Sequence, residues 1–125
     1  MKSAPQLAVL GVGHAGIKIA ARLATEWREH PPVFAIGTDR AFLDQWPEGV
    51  FERLEVGETV TRGASTGGDP EIGRQAVEGE KARLQNLFAG LDLAFLVGGL
   101  GGGLATGALP VLGRLARAAG CLTIC

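Results

Sequence analysis

Short unbroken apolar runs alternate along the chain with longer stretches in which apolar residues recur every three or four positions. Residues 6–11, "QLAVLG", form a run halted by glycine and predict a buried strand. Beyond it Ile17, Ala20, Ala21, Ala24 and Trp27 fall near helical spacing, with Lys18, Arg22, Glu26 and Arg28 between them. This predicts an amphipathic helix that Pro31 and Pro32 bring to an end. Residues 33–39, "VFAIGTD", predict a second buried strand, followed by a helical turn over residues 41–45 that Pro47 closes. Residues 50–57, "VFERLEVG", alternate only in part and predict an edge strand.

The next stretch, "ETVTRGASTGGDP", is small and polar and predicts a loop. Asp69, Pro70 and Glu71 then have the make-up of a helix start: an N-cap, a proline at the first helical position and an acid in the first turn. One helix is expected from there to Gly90, with Gly73 and Gly79 weakening it so that packing must hold it. "DLAFLVG", residues 92–98, predicts a third buried strand. A helix from about Ala108 to Gly120 follows, and "CLTIC" opens a last strand. Apolar strands alternating with amphipathic helices imply an α/β fold: a doubly wound, mainly parallel sheet with helices on both faces, in one domain spanning residues 1–125. Ligands of such sheets bind at the carboxyl ends of the strands.

Composition narrows the function. With 46% apolar and 20% charged residues the chain reads as a soluble globular protein. A net charge of -1 argues against general binding to nucleic acid or anionic membranes. No run is long enough to span a bilayer, and "MKSAPQLAVL" is too short and weakly apolar for a signal peptide. Cys121 and Cys125 are expected as buried strand residues rather than a disulfide or metal pair, so a reducing cytoplasm is the expected compartment. Trp27 and Trp46 are expected as core or half-buried anchors, and Arg114 and Arg117 as the solvated face of the last helix.

The outstanding figure is 20 glycines, clustered at residues 11–16, 63–73 and 98–107, each cluster beside an apolar segment. A helix amino terminus offers unpaired N–H groups and partial positive charge, and glycine lets a phosphate approach them closely. "GVGHAG" has the G-x-G-x-x-G form after a strand, and Asp39 fits the acidic ribose-binding position of a dinucleotide fold. That reading leaves "GGLGGGLATG" unused. No lysine stands in a G-x-x-x-x-G-K-[ST] arrangement, which excludes the common P-loop.

Taken together, "GGLGGGLATGALP", "TRGASTGGDPEIGRQA", "GTDRAFL" and "GVGHAGIKIA" resemble, in order and spacing, the motifs of the tubulin and FtsZ superfamily, the polymerising GTPases of cytoskeleton and cell division. The resemblance covers residues 7–125. It implies a GTP or GDP site accompanied by a magnesium ion, with no metal-ligating side chain assigned. The first loop, Gly13, His14, Ala15, Gly16, Ile17 and Lys18, would lie against the phosphates through backbone N–H groups. Gly37, Thr38 and Asp39 would sit near the phosphates and the magnesium, and Gly67, Gly68 and Asp69 would approach the γ-phosphate. Gly101, Gly102, Gly103, Leu104, Ala105, Thr106 and Gly107 would wrap the α- and β-phosphates.

Departures from the family pattern carry their own expectations. Leu104 stands for the signature threonine and loses its hydroxyl; Ala105 stands for a glycine and would strain any positive φ by on the order of 1 kcal/mol. The family's guanine-recognising helix and catalytic acidic loop come later than Cys125, so this chain alone is expected not to hydrolyse GTP efficiently. Three readings follow: an FtsZ-like cradle for guanine nucleotide, a non-enzymatic FtsZ-like protein that binds or caps a polymer partner, and a dinucleotide-binding fragment. An uncovered sheet edge at the last strand predicts self-association or pairing with another FtsZ-like subunit.

Overall fold

The computed structural model describes residues 4–125; Met1, Lys2 and Ser3, the start of the stretch judged too short for a signal peptide, lie outside the described residues. Five strands, β1 (Leu7–Val12), β2 (Val33–Gly37), β3 (Glu52–Glu55), β4 (Leu93–Gly98) and β5 (Leu122–Ile124), make one sheet in the order β3-β2-β1-β4-β5. Every neighbouring pair is parallel. The helices are α1 (Gly13–Glu26), α2 (Arg40–Leu43), α3 (Glu58–Thr61), α4 (Pro70–Glu78), α5 (Lys81–Ala89) and α6 (Gly103–Ala118).

Registered partners in a parallel pair point to the same side, so Leu10, Phe34 and Leu96 share one face of the sheet. With Ala8, Val12, Ile36 and Ala94 they pack against Val77, Leu84, Phe88, Leu112 and Leu115 from α4, α5 and α6. On the other face Val9, Val33 and Ala35 pack against Ile17 and Ala20 of α1 and Phe42 and Leu43 of α2. Strands buried on both faces need continuous apolar runs, which is why β1, β2 and β4 read as unbroken apolar segments. The sheet is doubly wound, as the alternation predicts. The chain leaves β1 toward β2 and β3, then returns to β1's other flank at β4. Between β1 and β4 the direction reverses, and a crevice opens there at the strand ends.

Several local expectations are corrected. The last long helix begins at Gly103, not near Ala108. Its glycines are helical: a Cβ on Gly103 would run into the Gly68–Asp69 backbone, and one on Gly107 into the Pro70 carbonyl. Gly103 and Gly107 thus permit close packing against α4 and the turn before it, whereas Gly113 has nothing within 4 Å of an added methyl. Pro110, usual in a first turn, sits inside the helix instead. The helix expected through to Gly90 is two helices, because Glu80 leaves the helical region at φ -111° directly after Gly79. Part of the expected polar loop winds into α3, entered through Gly57 and left through Arg62, both left-handed. Helix α1 stops at Glu26, before the prolines, and Trp27 is 52% exposed rather than anchored in the core. Trp46 is half-buried between Phe42 and Phe51. Cys121 is buried but Cys125 is exposed, and both are free thiols. Arg114 and Arg117 are solvated, as expected.

Around β3 a polar clamp fixes the turn that follows. The Arg40 N–H donates to the Gly63 carbonyl at 2.9 Å, and its guanidinium donates to the Glu55 and Glu58 carboxylates at 2.8 and 2.6 Å. The hydrogen bond from Arg40 holds the Glu55 carboxyl below the usual carboxylate range, against desolvation, which raises it.

Two outcomes follow from these contacts. Gly107→Ala should cost about 2 kcal/mol or more in urea unfolding, because its methyl meets backbone that cannot swing aside. Gly113→Ala, in the same helix with nothing within 4 Å of its added methyl, should stabilise by about 0.5–1 kcal/mol. Equal effects at the two sites would contradict the packing described. For pH, a depressed Glu55 stabilises the fold above the ordinary glutamate value of about 4.3 and loses that contribution as pH falls through its lowered value. Stability measured from pH 6 down to about pH 2 should therefore fall less steeply in Glu55→Gln than in the wild type.

Candidate functional site

At the carboxyl ends of β1, β2 and β4 lies a cavity of about 560 Å³. Each glycine cluster supplies a wall. From the β1–α1 junction come Gly13, His14, Ala15 and Ile17; from the end of β2, Gly37, Thr38 and Asp39; from the turn before α4, Gly67 and Gly68. The β4–α6 connection contributes Gly101, Gly102, Gly103, Leu104 and Ala105. Separate turns that are far apart in sequence thus meet at one sheet rim.

Backbone geometry explains the glycines. Gly13, Gly67, Gly68 and Gly101 adopt φ of +76°, +63°, +80° and +83°, the left-handed region that side chains resist. Gly16 is needed for another reason. Its missing Cβ lets α1 lie on the Val97 carbonyl of β4, which brings the start of α1 onto the rim.

The helix starts differ in a telling way. Neither α1, capped by Val12, nor α6, capped by Gly102, has a side-chain hydrogen bond to its first-turn amides. The Gly102 amide itself reaches the Gly99 carbonyl at 3.4 Å, but the Gly103, Leu104 and Ala105 amides have no carbonyl one turn back to pair with. Helix α4 is closed by its own chain: Asp69 accepts from the Glu71 N–H at 2.9 Å. Two helix amino termini therefore present bare N–H groups and partial positive charge to one cavity.

Five of the sequence-derived residues do not line it. Gly16 and Gly107 are packed against backbone, Asp69 caps α4, and Lys18 and Thr106 are exposed outside the cavity wall. Ala105 is helical rather than left-handed, so the expected strain is absent; among the described residues Arg62 is the non-glycine with positive φ. Leu104 is 5% exposed, its side chain in the core, and it offers the cavity its backbone.

Six lining residues escaped the sequence reading: Val12, Phe42, Ser65, Thr66, Gly99 and Leu100. Val12, Ser65, Thr66, Gly99 and Leu100 lie inside the glycine-rich motifs, and Phe42 inside "GTDRAFL", but no role was expected of any of them. The Phe42 ring stacks on His14, centroids 3.9 Å apart and planes 14° apart. His14 Nε2 lies 3.1 Å from Asp39 Oδ2, while Asp39 Oδ1 accepts from the Phe42 N–H at 3.2 Å.

A magnesium ion does not fit the protein donors alone. Asp39 is the one carboxylate lining the cavity, too little for an octahedral oxygen set, and no cluster of three His, Cys, Asp or Glu exists among the described residues. Such an ion would have to be held by the ligand's own oxygens and water. No helix is long and apolar enough to cross a membrane among the described residues.

Known proteins with this geometry are informative. A family model described as "Tubulin/FtsZ family, GTPase domain" matches residues 6–125. The cell division protein FtsZ of Buchnera aphidicola is 36% identical over 116 residues, covering 93% of this chain and 30% of that protein. A structure described as an empty FtsZ dimer from M. jannaschii superposes with a TM-score of 0.86 at 30% identity, over 95% of this chain and 34% of that one. CetZ2 from Haloferax volcanii, described as a GTPγS-bound protofilament, gives 0.78 at 28% identity, over 90% and 36%. The chain thus spans about a third of the length of these relatives. The shared motifs, the shared sheet and the coverage lead to one statement: this chain belongs to the tubulin/FtsZ family, within its GTPase domain.

Proposed function

We propose that this chain binds a guanine nucleotide, GTP or GDP, with the phosphates seated in the cavity at the ends of β1, β2 and β4. The observation that carries the reading is the pair of uncapped helix starts, α1 and α6, facing one cavity through left-handed glycines. Oxyanions are held there by backbone N–H groups, which explains how the site tolerates Leu104 in place of a hydroxyl. The base preference rests on the family; the phosphate preference rests on the geometry. A dinucleotide is disfavoured because the dinucleotide fingerprint needs only the first strand-to-helix turn, whereas here the β4–α6 connection supplies a second glycine-rich wall, as expected for the tubulin/FtsZ family.

Turnover is a different matter. Phosphoryl transfer needs a positioned water and stabilised charge. Among the described residues Asp39 is the one carboxylate lining the cavity, and it serves as the N-cap of α2 while facing His14. The reading is therefore binding without appreciable hydrolysis by this chain alone. Self-association belongs to the same reading. It is supported by the related structures, which are described as a dimer and a protofilament.

Titration calorimetry with GDP, GTP and NADH should show saturable binding of the first two and none of the third, with no phosphate released from GTP. Gly102→Val should weaken GDP at least about tenfold, or about 1.4 kcal/mol, while unfolding as the wild type does. Its φ of -72° suits valine, and an added Cβ meets only the Gly99 carbonyl, at 3.5 Å. NADH binding without GDP binding would end the proposal. Sedimentation velocity at micromolar concentration should show species larger than a monomer. If the chain proves monomeric throughout but still binds GDP, self-association alone is lost.

A further inference from the structure

The cavity has an unusual charge balance for an anion site. Among the described residues its lining includes no lysine and no arginine; the ionisable groups there are His14 and Asp39. We infer that His14 is the charge-compensating residue of this cavity, and that a nucleotide's phosphates bind with uptake of a proton by its imidazole. This inference rests on the nucleotide reading above.

Hydrogen-bond chemistry leads to it. An ionised carboxylate only accepts, so a neutral His14 facing Asp39 at 3.1 Å carries its proton on Nε2. Its Nδ1, which has no hydrogen-bond partner among the described residues, is then a lone pair. A lone pair turned toward a phosphate oxygen is repulsive. Protonation turns Nδ1 into a donor, and it changes the charge of the His14–Asp39 pair from negative to neutral. Stacking on Phe42 holds the ring plane while 52% of the side chain stays exposed, so the imidazole is oriented without being sealed from solvent. Histidine is the side chain whose charge ordinarily changes between about pH 5 and 8.

The other charged groups nearby are committed elsewhere. The Arg40 guanidinium is bonded to Glu55 and Glu58, and Asp69 caps α4. Lys18 lies one turn along α1 from His14, exposed and outside the cavity wall. The 64–68 turn and the 99–105 connection bring no charged side chain into the cavity. Among the described residues His14 is left as the switchable cation. Proton and phosphate therefore favour each other's binding, and the coupling must be reciprocal.

Two measurements test this. GDP affinity is compared between wild type and His14→Asn from pH 6 to pH 8, the variant removing GDP's own titration from the comparison. Relative to the variant, wild-type affinity should fall about tenfold across that range, the equivalent of about one pH unit of coupling. Parallel curves would overturn the inference while leaving nucleotide binding intact. The second readout needs no variant: NMR titration of the two histidine rings with and without GDP. His14 should titrate at higher pH when GDP is bound, while His30, bonded to the Pro31 carbonyl and outside the cavity wall, should not move. An unmoved His14 in a GDP-saturated sample would overturn the inference. No GDP binding at any pH would remove the nucleotide reading, and this inference with it.

Discussion

Contact of backbone with backbone is the constraint on which this structure depends. Helix α1 lies on the Val97 carbonyl through Gly16, and α6 lies on the Pro70 carbonyl through Gly107 and on the Gly68–Asp69 backbone through Gly103. At each place a single Cβ would force the elements apart. These approaches draw the starts of α1 and α6 and the turn before α4 toward one rim. Buried apolar residues supply the driving force for the fold, but they are tolerant of small shifts in a way that a carbonyl against a Cα is not.

The chemistry of the rim follows from that geometry. Close-packed glycines leave amide hydrogens as the main donors, and their partial charges come from the helices themselves rather than from long basic side chains. Among the described residues the site's net side-chain charge then falls to two groups, His14 and Asp39, which face each other. Asp39 also begins α2 and sits at the end of β2, so the same carboxylate shapes the local backbone and sets the electrostatics next to His14. Few positions serve both purposes, and a substitution at Asp39 would disturb both at once.

Much of this was legible in the sequence. The three central strands are apolar runs long enough to be buried on both faces, and the order of elements left few parallel topologies open. The Asp69-Pro70-Glu71 helix start was readable because capping chemistry is local. What escaped had non-local causes. Glycine signals a turn and a close approach with the same letter, and only tertiary contact distinguishes them; hence α6 begins five residues earlier than composition suggests, at Gly103 rather than Ala108. Gly16 and Gly107 were grouped with the cavity for the same reason, although packing is what occupies them. Phe42 was invisible as a wall residue because its partner, His14, lies 28 positions away in the sequence and meets it only through the fold.

Asp69 closes the amino end of α4 with its own carboxylate, and Arg40 fastens the preceding turn at Gly63. The wall between them is consequently built during folding, from contacts internal to the chain. A ligand bound there would meet a wall already held by the chain's own hydrogen bonds. The entropy of arranging that wall is charged to the folding reaction, so affinity at this face reflects contact and solvation more than conformational restriction.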